Sequence, residues 1–163
     1  NLRRAAVLVP LVAHESGVTV LLTQRASHLR DHSGQVAFPG GKIDAGETAV
    51  DAALREAEEE ISLARRHIEP MAYLDPYQTG TGFRILPVVA LVRPPFELTI
   101  NRTEVDDAFE TPLSFLMDVS NHQRHAREWQ GTLRHFYAMP YGERYIWGAT
   151  AGMLRNLYER LYS

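Results

Sequence analysis

Residues 48–61 limit what this chain can become more than any other stretch. Val50, Leu54, Ala57 and Ile61 recur at helical spacing, and no Gly or Pro interrupts them. A helix with such an apolar stripe must bury it against a second layer. Glu56, Glu59 and Glu60 share the same helix. At about 100° per residue they fall in one sector, turned away from the stripe. Carboxylates three or four positions apart repel, with about 5–6 Å between their Cβ atoms. A divalent cation removes that cost, and hard oxygen donors suit Mg²⁺ or Mn²⁺. Charge pattern alone leaves a solvated acidic face open as the commoner reading.

Around this helix the pattern is mixed. Residues 5–13 and 18–23 read as two strands joined at Gly17, and residues 27–46 are rich in turn formers. Residues 84–92 read as a buried strand that Pro87 marks as an edge or a bulge. Thr111 and Pro112 read as the cap and first position of a short helix reaching Met117. Residues 122–129 and 132–139 flank Gln130-Gly131 as a hairpin, and residues 147–161 close the chain as an amphipathic helix with Met153, Leu154, Leu157 and Leu161 on its stripe. Strands with separated helices point to an α/β or α+β sandwich. With 163 residues, 45% of them hydrophobic, the chain is long enough for one domain, 1–163, that needs no disulfide.

Absent residues narrow the chemistry. With no cysteine, thiol catalysis and cysteine-ligated zinc are excluded. A formal net charge of −3 argues against a globally basic nucleic-acid or membrane binder. No apolar run approaches a membrane span and no secretory signal is visible, so the expected setting is cytoplasmic. The Gly80-Thr81-Gly82 segment lacks the third glycine of a dinucleotide fingerprint and reads as a turn. Tyr77, Phe83, Trp129 and Phe136 are of the type that stacks on adenine, although such residues more often fill core.

The segment GGKIDAGETAVDAALREAEEEISL, residues 40–63, resembles the loop–helix signature of the Nudix hydrolases, with its box at about 41–63. Ser62 stands where that family usually has Gly, which predicts a looser or slightly extended helix end. The resemblance implies an α/β/α sandwich with a mixed sheet between helices, and hydrolysis of a diphosphate linked to another moiety. It implies Glu56 and Glu60 as the principal ligands of Mg²⁺ or Mn²⁺ and Glu59 as a further ligand or water-activating group. Arg55 and Glu47 would then orient the cluster. Glu104, Asp106, Asp107 and Glu110 form a further acidic stretch that could contribute to the cluster, with a solvated loop as the commoner reading.

A second resemblance bears on substrate. LLTQRASHLRDHSGQVAFPGG, residues 21–41, resembles the extra motif of the coenzyme A diphosphatases within that family. LDPYQTGTGFRILPVVALV, residues 74–92, and WGATA, residues 147–151, are similar to the same subfamily more weakly. The resemblance implies cleavage of coenzyme A to 4′-phosphopantetheine and adenosine 3′,5′-bisphosphate. Arg25, His28, Arg30 and His32 lie just before the Gly40-Gly41 loop and read as an anion-binding wall. Arg25 and Arg30 are the expected contacts to substrate phosphate, together with Gly40 and Gly41. Other nucleoside diphosphate derivatives (ADP-ribose, sugar nucleotides, dinucleotides) are the alternative substrates, and a non-hydrolysing nucleotide sensor is the reading outside enzymes. The expected partner is a small molecule, and the expected state is a monomer or homodimer.

Overall fold

The computed structural model describes residues 2–29 and 34–162. In chain order the strands are β1 (Arg3–His14), β2 (Gly17–Arg25), β3 (Val36–Ala37), β4 (Gly40–Lys42), β5 (Ile68–Tyr73), β6 (Tyr77–Gln78), β7 (Phe83–Val92), β8 (Val105–Pro112), β9 (Gln123–Trp129) and β10 (Thr132–Ala138). The helices are α1 (Ala49–Ile61), α2 (Leu113–Leu116) and α3 (Gly148–Tyr162). No helix among the described residues is long and apolar enough to cross a membrane.

Side-chain alternation along β1 builds two cores. Ala6, Leu8 and Val12 face α1 and pack with Ala53, Ala57 and Ile61. Val9 faces the other way, joining Val20 and Leu22 of β2 and Leu154 and Leu157 of α3. The sheet between these layers is mixed: β1 runs parallel to β7 along its length and antiparallel to its other partners. This is the α/β/α sandwich the sequence implies. The hairpin β9–β10 forms a separate two-stranded sheet lying on α3.

The divided pairing of β1 positions the site. Its C-terminal half, from Leu11, pairs with β2, whereas Ala5–Val7 pair with β4. Between them the Leu8 amide donates to the Pro39 carbonyl. The change of partner holds Gly40 and Gly41 against the middle of the sheet, beneath α1.

Four local expectations change in three dimensions. Pro87 sits in a central strand, because its carbonyl accepts from the Leu74 amide on the side where β7 switches partner between β5 and β6. A missing N–H on that side costs no ladder bond. Thr111 is no helix cap: it is fully buried in β8, which pairs with β2 through Pro112, and the helix starts only at Leu113. Residues 104–110, read as a solvated loop, belong largely to that same strand. Leu161 leaves the predicted stripe of α3 and is 54% exposed, while Met153, Leu154 and Leu157 are buried as expected.

Candidate active site

The chemistry is held by a loop and a helix that the chain fastens at both ends. Thr48 accepts from the Asp51 amide at 3.1 Å and the Asp51 carboxylate returns a bond to the Thr48 amide, a reciprocal cap. At the other end Ser62 adopts the left-handed conformation, φ 59° and ψ 32°, and its amide donates to the Ala57 and Glu58 carbonyls. The Ser62 hydroxyl donates to the Thr99 carbonyl at 3.0 Å. The looser end predicted for Ser in place of Gly is therefore not found: the side chain has a partner that offsets the unfavourable backbone conformation.

Arg55 ties the loop to the helix. Its Nε and Nη2 donate to the two Glu47 carboxylate oxygens at 2.7 and 3.1 Å, and Nη2 also donates to the Lys42 carbonyl at 3.1 Å. Nη1 lies 3.3 Å from Glu59 and 3.6 Å from Glu56. The guanidinium lowers the Glu47 carboxyl to about 2, and Glu47 in turn holds Arg55 charged well above its ordinary range. This planar fork fixes both the loop backbone and the helix carboxylates.

Glu60 departs from its predicted place. It stands three and seven residues beyond Ala57 and Ala53, on the same helix row, and is 5% exposed beside Ile61. Burial, then the charges of Glu56 and Glu104, push its carboxyl up to about 8, against the Gly40 amide and Arg25. Glu56 is pushed up to about 7, chiefly by burial and then by a hydrogen bond with Glu59. Glu59 itself is exposed. The Gly40 amide approaches Glu60 Oε2 at 3.4 Å, and a Cβ on Gly41 would stand 1.7 Å from Glu56 Oε2. Only glycine lets the loop pass this close to the carboxylates.

Of the acidic stretch that the sequence offered as a possible contributor, Glu104 joins this cluster, its charge acting on both Glu56 and Glu60. The segment before it is stitched to the end of α1, with the Asn101 amide donating to the Glu60 carbonyl at 2.9 Å. One Glu104 oxygen is buried without a hydrogen-bond partner. Its acidic neighbours are engaged elsewhere: Asp106 accepts from the Ser27 amide, Asp107 from Arg144, and Glu110 pairs with His14. Among the described residues no three carboxylates or imidazoles close on one point as a preformed cage. Desolvated Glu56 and Glu60 with an orphaned Glu104 oxygen are nevertheless the hard donor set that suits Mg²⁺ or Mn²⁺, which keep several waters and take ligands from substrate.

In front of Gly40 and Gly41 opens a cavity of about 310 Å³. Arg25, Phe38, Thr79, Phe83 and Trp147 are among its lining residues. The Arg25 Nε is buried and unpartnered. Arg30 and His32 lie outside the described residues, and His28 is turned to the Thr103 carbonyl. A larger hollow of about 720 Å³ beside Arg4 and Arg84 lacks Gly40 and Gly41 among its lining residues, whereas the smaller cavity is lined by both glycines, which lie against Glu60 and Glu56.

Residues 2–131 match the family profile described as the NUDIX domain. The chain belongs to the Nudix family. The protein of Enterobacter sp. (strain 638) named "Uncharacterized Nudix hydrolase NudL" is 40% identical over 158 residues, which cover 96% of this chain and 82% of that one. Its namesake in Escherichia coli (strain K12) is 38% identical over the same shares. Among solved structures, the Nudix domain of Shewanella oneidensis NrtR, crystallised with ADP ribose, superimposes with a TM-score of 0.61 at 19% identity, covering 99% of this chain and 89% of that one. A C. elegans Ap4A hydrolase gives 0.59 at 20% identity, covering 68% and 80%. These two likenesses show the Nudix fold. As a Nudix hydrolase, the protein is an enzyme acting on pyrophosphate bonds.

Proposed function

We propose that this Nudix hydrolase cleaves the diphosphate of coenzyme A or one of its derivatives, releasing 4′-phosphopantetheine and adenosine 3′,5′-bisphosphate. One observation carries the reading. The three segments that resemble coenzyme A diphosphatases are far apart in sequence, yet Arg25, Gln35 and Phe38 of the first, Thr79, Thr81 and Phe83 of the second, and Trp147 and Ala149 of the third line the same cavity. A binding site shared with that subfamily is the reading that this meeting of three segments at one cavity supports.

Each residue then has a role. Glu56 and Glu60 hold the cation, with Glu59 as a further ligand or water-activating group and Glu104 within reach of the same charge. When bound, Mg²⁺ or Mn²⁺ neutralises the diphosphate and lowers the pKa of the attacking water. Arg55 and Glu47 keep the carboxylates and the loop in register. Gly40 and Gly41 let the diphosphate approach the cluster, and Arg25 places a positive charge beside it.

The decisive assay incubates the protein with Mg²⁺ and, separately, coenzyme A, ADP-ribose and diadenosine compounds, and identifies products by mass. The expected result is 4′-phosphopantetheine and adenosine 3′,5′-bisphosphate from coenzyme A at the highest kcat/KM. Efficient cleavage of ADP-ribose without cleavage of coenzyme A overturns the proposal.

A further inference from the structure

We infer that the face of the β9–β10 hairpin bearing Arg127 and Arg134 binds a phosphate group of the substrate remote from the bond that breaks. The inference rests on the coenzyme A reading, since coenzyme A carries such a phosphate on its ribose.

Register defines the face. Arg127 pairs with Arg134, His125 with Phe136, and Trp129 with Thr132 across the two strands. These six side chains therefore project to one side of the hairpin. Their contacts show which side that is. The Arg127 guanidinium lies 5.3 Å over the Trp147 ring, and Phe136 meets the same ring edge-on at 5.5 Å. Arg134 lies 5.0 Å over Trp129. Trp129 in turn covers Gly80, where a Cβ would stand 3.2 Å from the indole. Trp147 lines the cavity, and Gly80 sits between its lining residues Thr79 and Thr81. The hairpin face is thus moored to the cavity rim at two points.

Charge makes this face a site rather than a solvated surface. Like charges directly opposite on antiparallel strands are unfavourable. Here two guanidiniums oppose each other, both exposed, and among the described residues neither pairs with a carboxylate. Glu128, the one acidic residue of the hairpin, is opposite Leu133 on the other face. Each guanidinium lies over the face of an indole, a contact that uses the ring's negative face and none of the arginine's N–H donors. A phosphate dianion between the two forks removes the repulsion and accepts from both.

Arg25 stands elsewhere: it lines the cavity itself together with Gly40 and Gly41, with its Nε buried, at the reacting end rather than on the rim. Coenzyme A is larger than a 310 Å³ cavity, so with its diphosphate over Gly41 the rest of the molecule crosses the rim. The hairpin stands on that rim.

The test is the ratio of kcat/KM for coenzyme A to that for dephospho-coenzyme A, measured with Mg²⁺. It is measured for the wild type, Arg127→Ala, Arg134→Ala and the double variant. Lost charge-assisted contacts of this kind correspond to about a 10- to 150-fold preference in the wild type. The double variant should bring the ratio close to one, and Arg127→Lys should restore it only in part. A binding readout stands beside the kinetics: by calorimetry on the metal-free protein, the preference for adenosine 3′,5′-bisphosphate over AMP should shrink by the same factor. Both arginines are exposed, and circular dichroism confirms that each variant is folded. A wild type that cleaves both substrates equally, or a double variant that keeps the wild-type ratio, overturns the hairpin assignment while leaving the coenzyme A reading intact. ADP-ribose cleaved with coenzyme A untouched overturns both.

Discussion

Residues 40–63 and the β9–β10 hairpin stand beside the same cavity but are built in opposite ways. In the first, charges are buried among alanines, and an arginine fork, two caps and two close-packed glycines hold them. In the second, charges are exposed and rest on aromatic rings, with no ion pair among the described residues. Burying charge commits a segment to one geometry, because an unpaired ion costs too much to leave in another. Charge laid on a rim carries no such constraint and can be altered with little cost to the fold. On the proposed function, hydrolysis is assigned to the first region and discrimination among substrates to the second.

The sharpest way to break this comparison is Glu60→Gln. Removing a ligand charge while keeping the shape should cost about 3–5 kcal/mol of transition-state stabilisation, a rate drop of roughly 10²- to 10⁴-fold. The drop should be the same for every substrate, unlike that of the hairpin variants, and single-turnover kinetics with Mg²⁺ measures it. Near-full activity would remove Glu60 from the metal site. Without metal, the thermal midpoint should be unchanged or slightly higher, since a buried repulsion is relieved.

Next in size is Leu157→Ala in α3, the helix that carries the hairpin. Leu157 is 4% exposed, and truncating a buried leucine costs about 2–5 kcal/mol. By contrast Leu133→Ala, on a hairpin residue 62% exposed, should change stability by less than about 0.5 kcal/mol. Urea melts separate the two outcomes, and equal losses would show that the hairpin is part of the core.

Gly41→Ala should lower kcat by roughly 10- to 100-fold through displacement of the Glu56 carboxylate, since small misplacements of catalytic groups have effects of this order. The added methyl meets a side-chain end rather than backbone, so the fold should survive and the denaturant midpoint should stay close to that of the wild type. Full activity would show that Glu56 has room to move without consequence.

A pH trend is expected in the metal-free protein. The folded Glu56 and Glu60 carboxyls titrate near about 7 and about 8, above their ordinary value of 4.5. Between about pH 4.5 and pH 8 the folded state therefore holds more protons than the unfolded state, and stability falls as pH rises through that window. Calorimetry with a chelator present should show a lower midpoint at pH 8 than at pH 5, and Glu60→Gln should flatten the slope. A midpoint that rises across this window contradicts the buried, protonated cluster.

Much of this protein is legible without coordinates, because the determinants are local. Helical spacing of Val50, Leu54 and Ala57, the turn at Gln130-Gly131 and the run of β1 each depend on neighbours within a few residues. The loop–helix arrangement is legible for the same reason: one helix brings Glu56 and Glu59 near Arg55, whatever surrounds them. Glu60 was misplaced because periodicity ranks faces by hydrophobicity, and a glutamate on the alanine row reads as solvent-facing until its neighbours are seen.

Only tertiary structure decided what distant segments do to one another. Glu104 enters the acidic cluster through bonds between residues 99–104 and the end of α1, a link with no signature in spacing. Pro87 fits a central strand because its partner strands change at that point. Arg127 and Arg134 are an ordinary basic pair in sequence, and they acquire a place beside the cavity through register and through Trp147, which is brought in by another segment. Periodicity is a property of a few consecutive residues, whereas strand pairing and side-chain burial are set by the whole chain closing on itself.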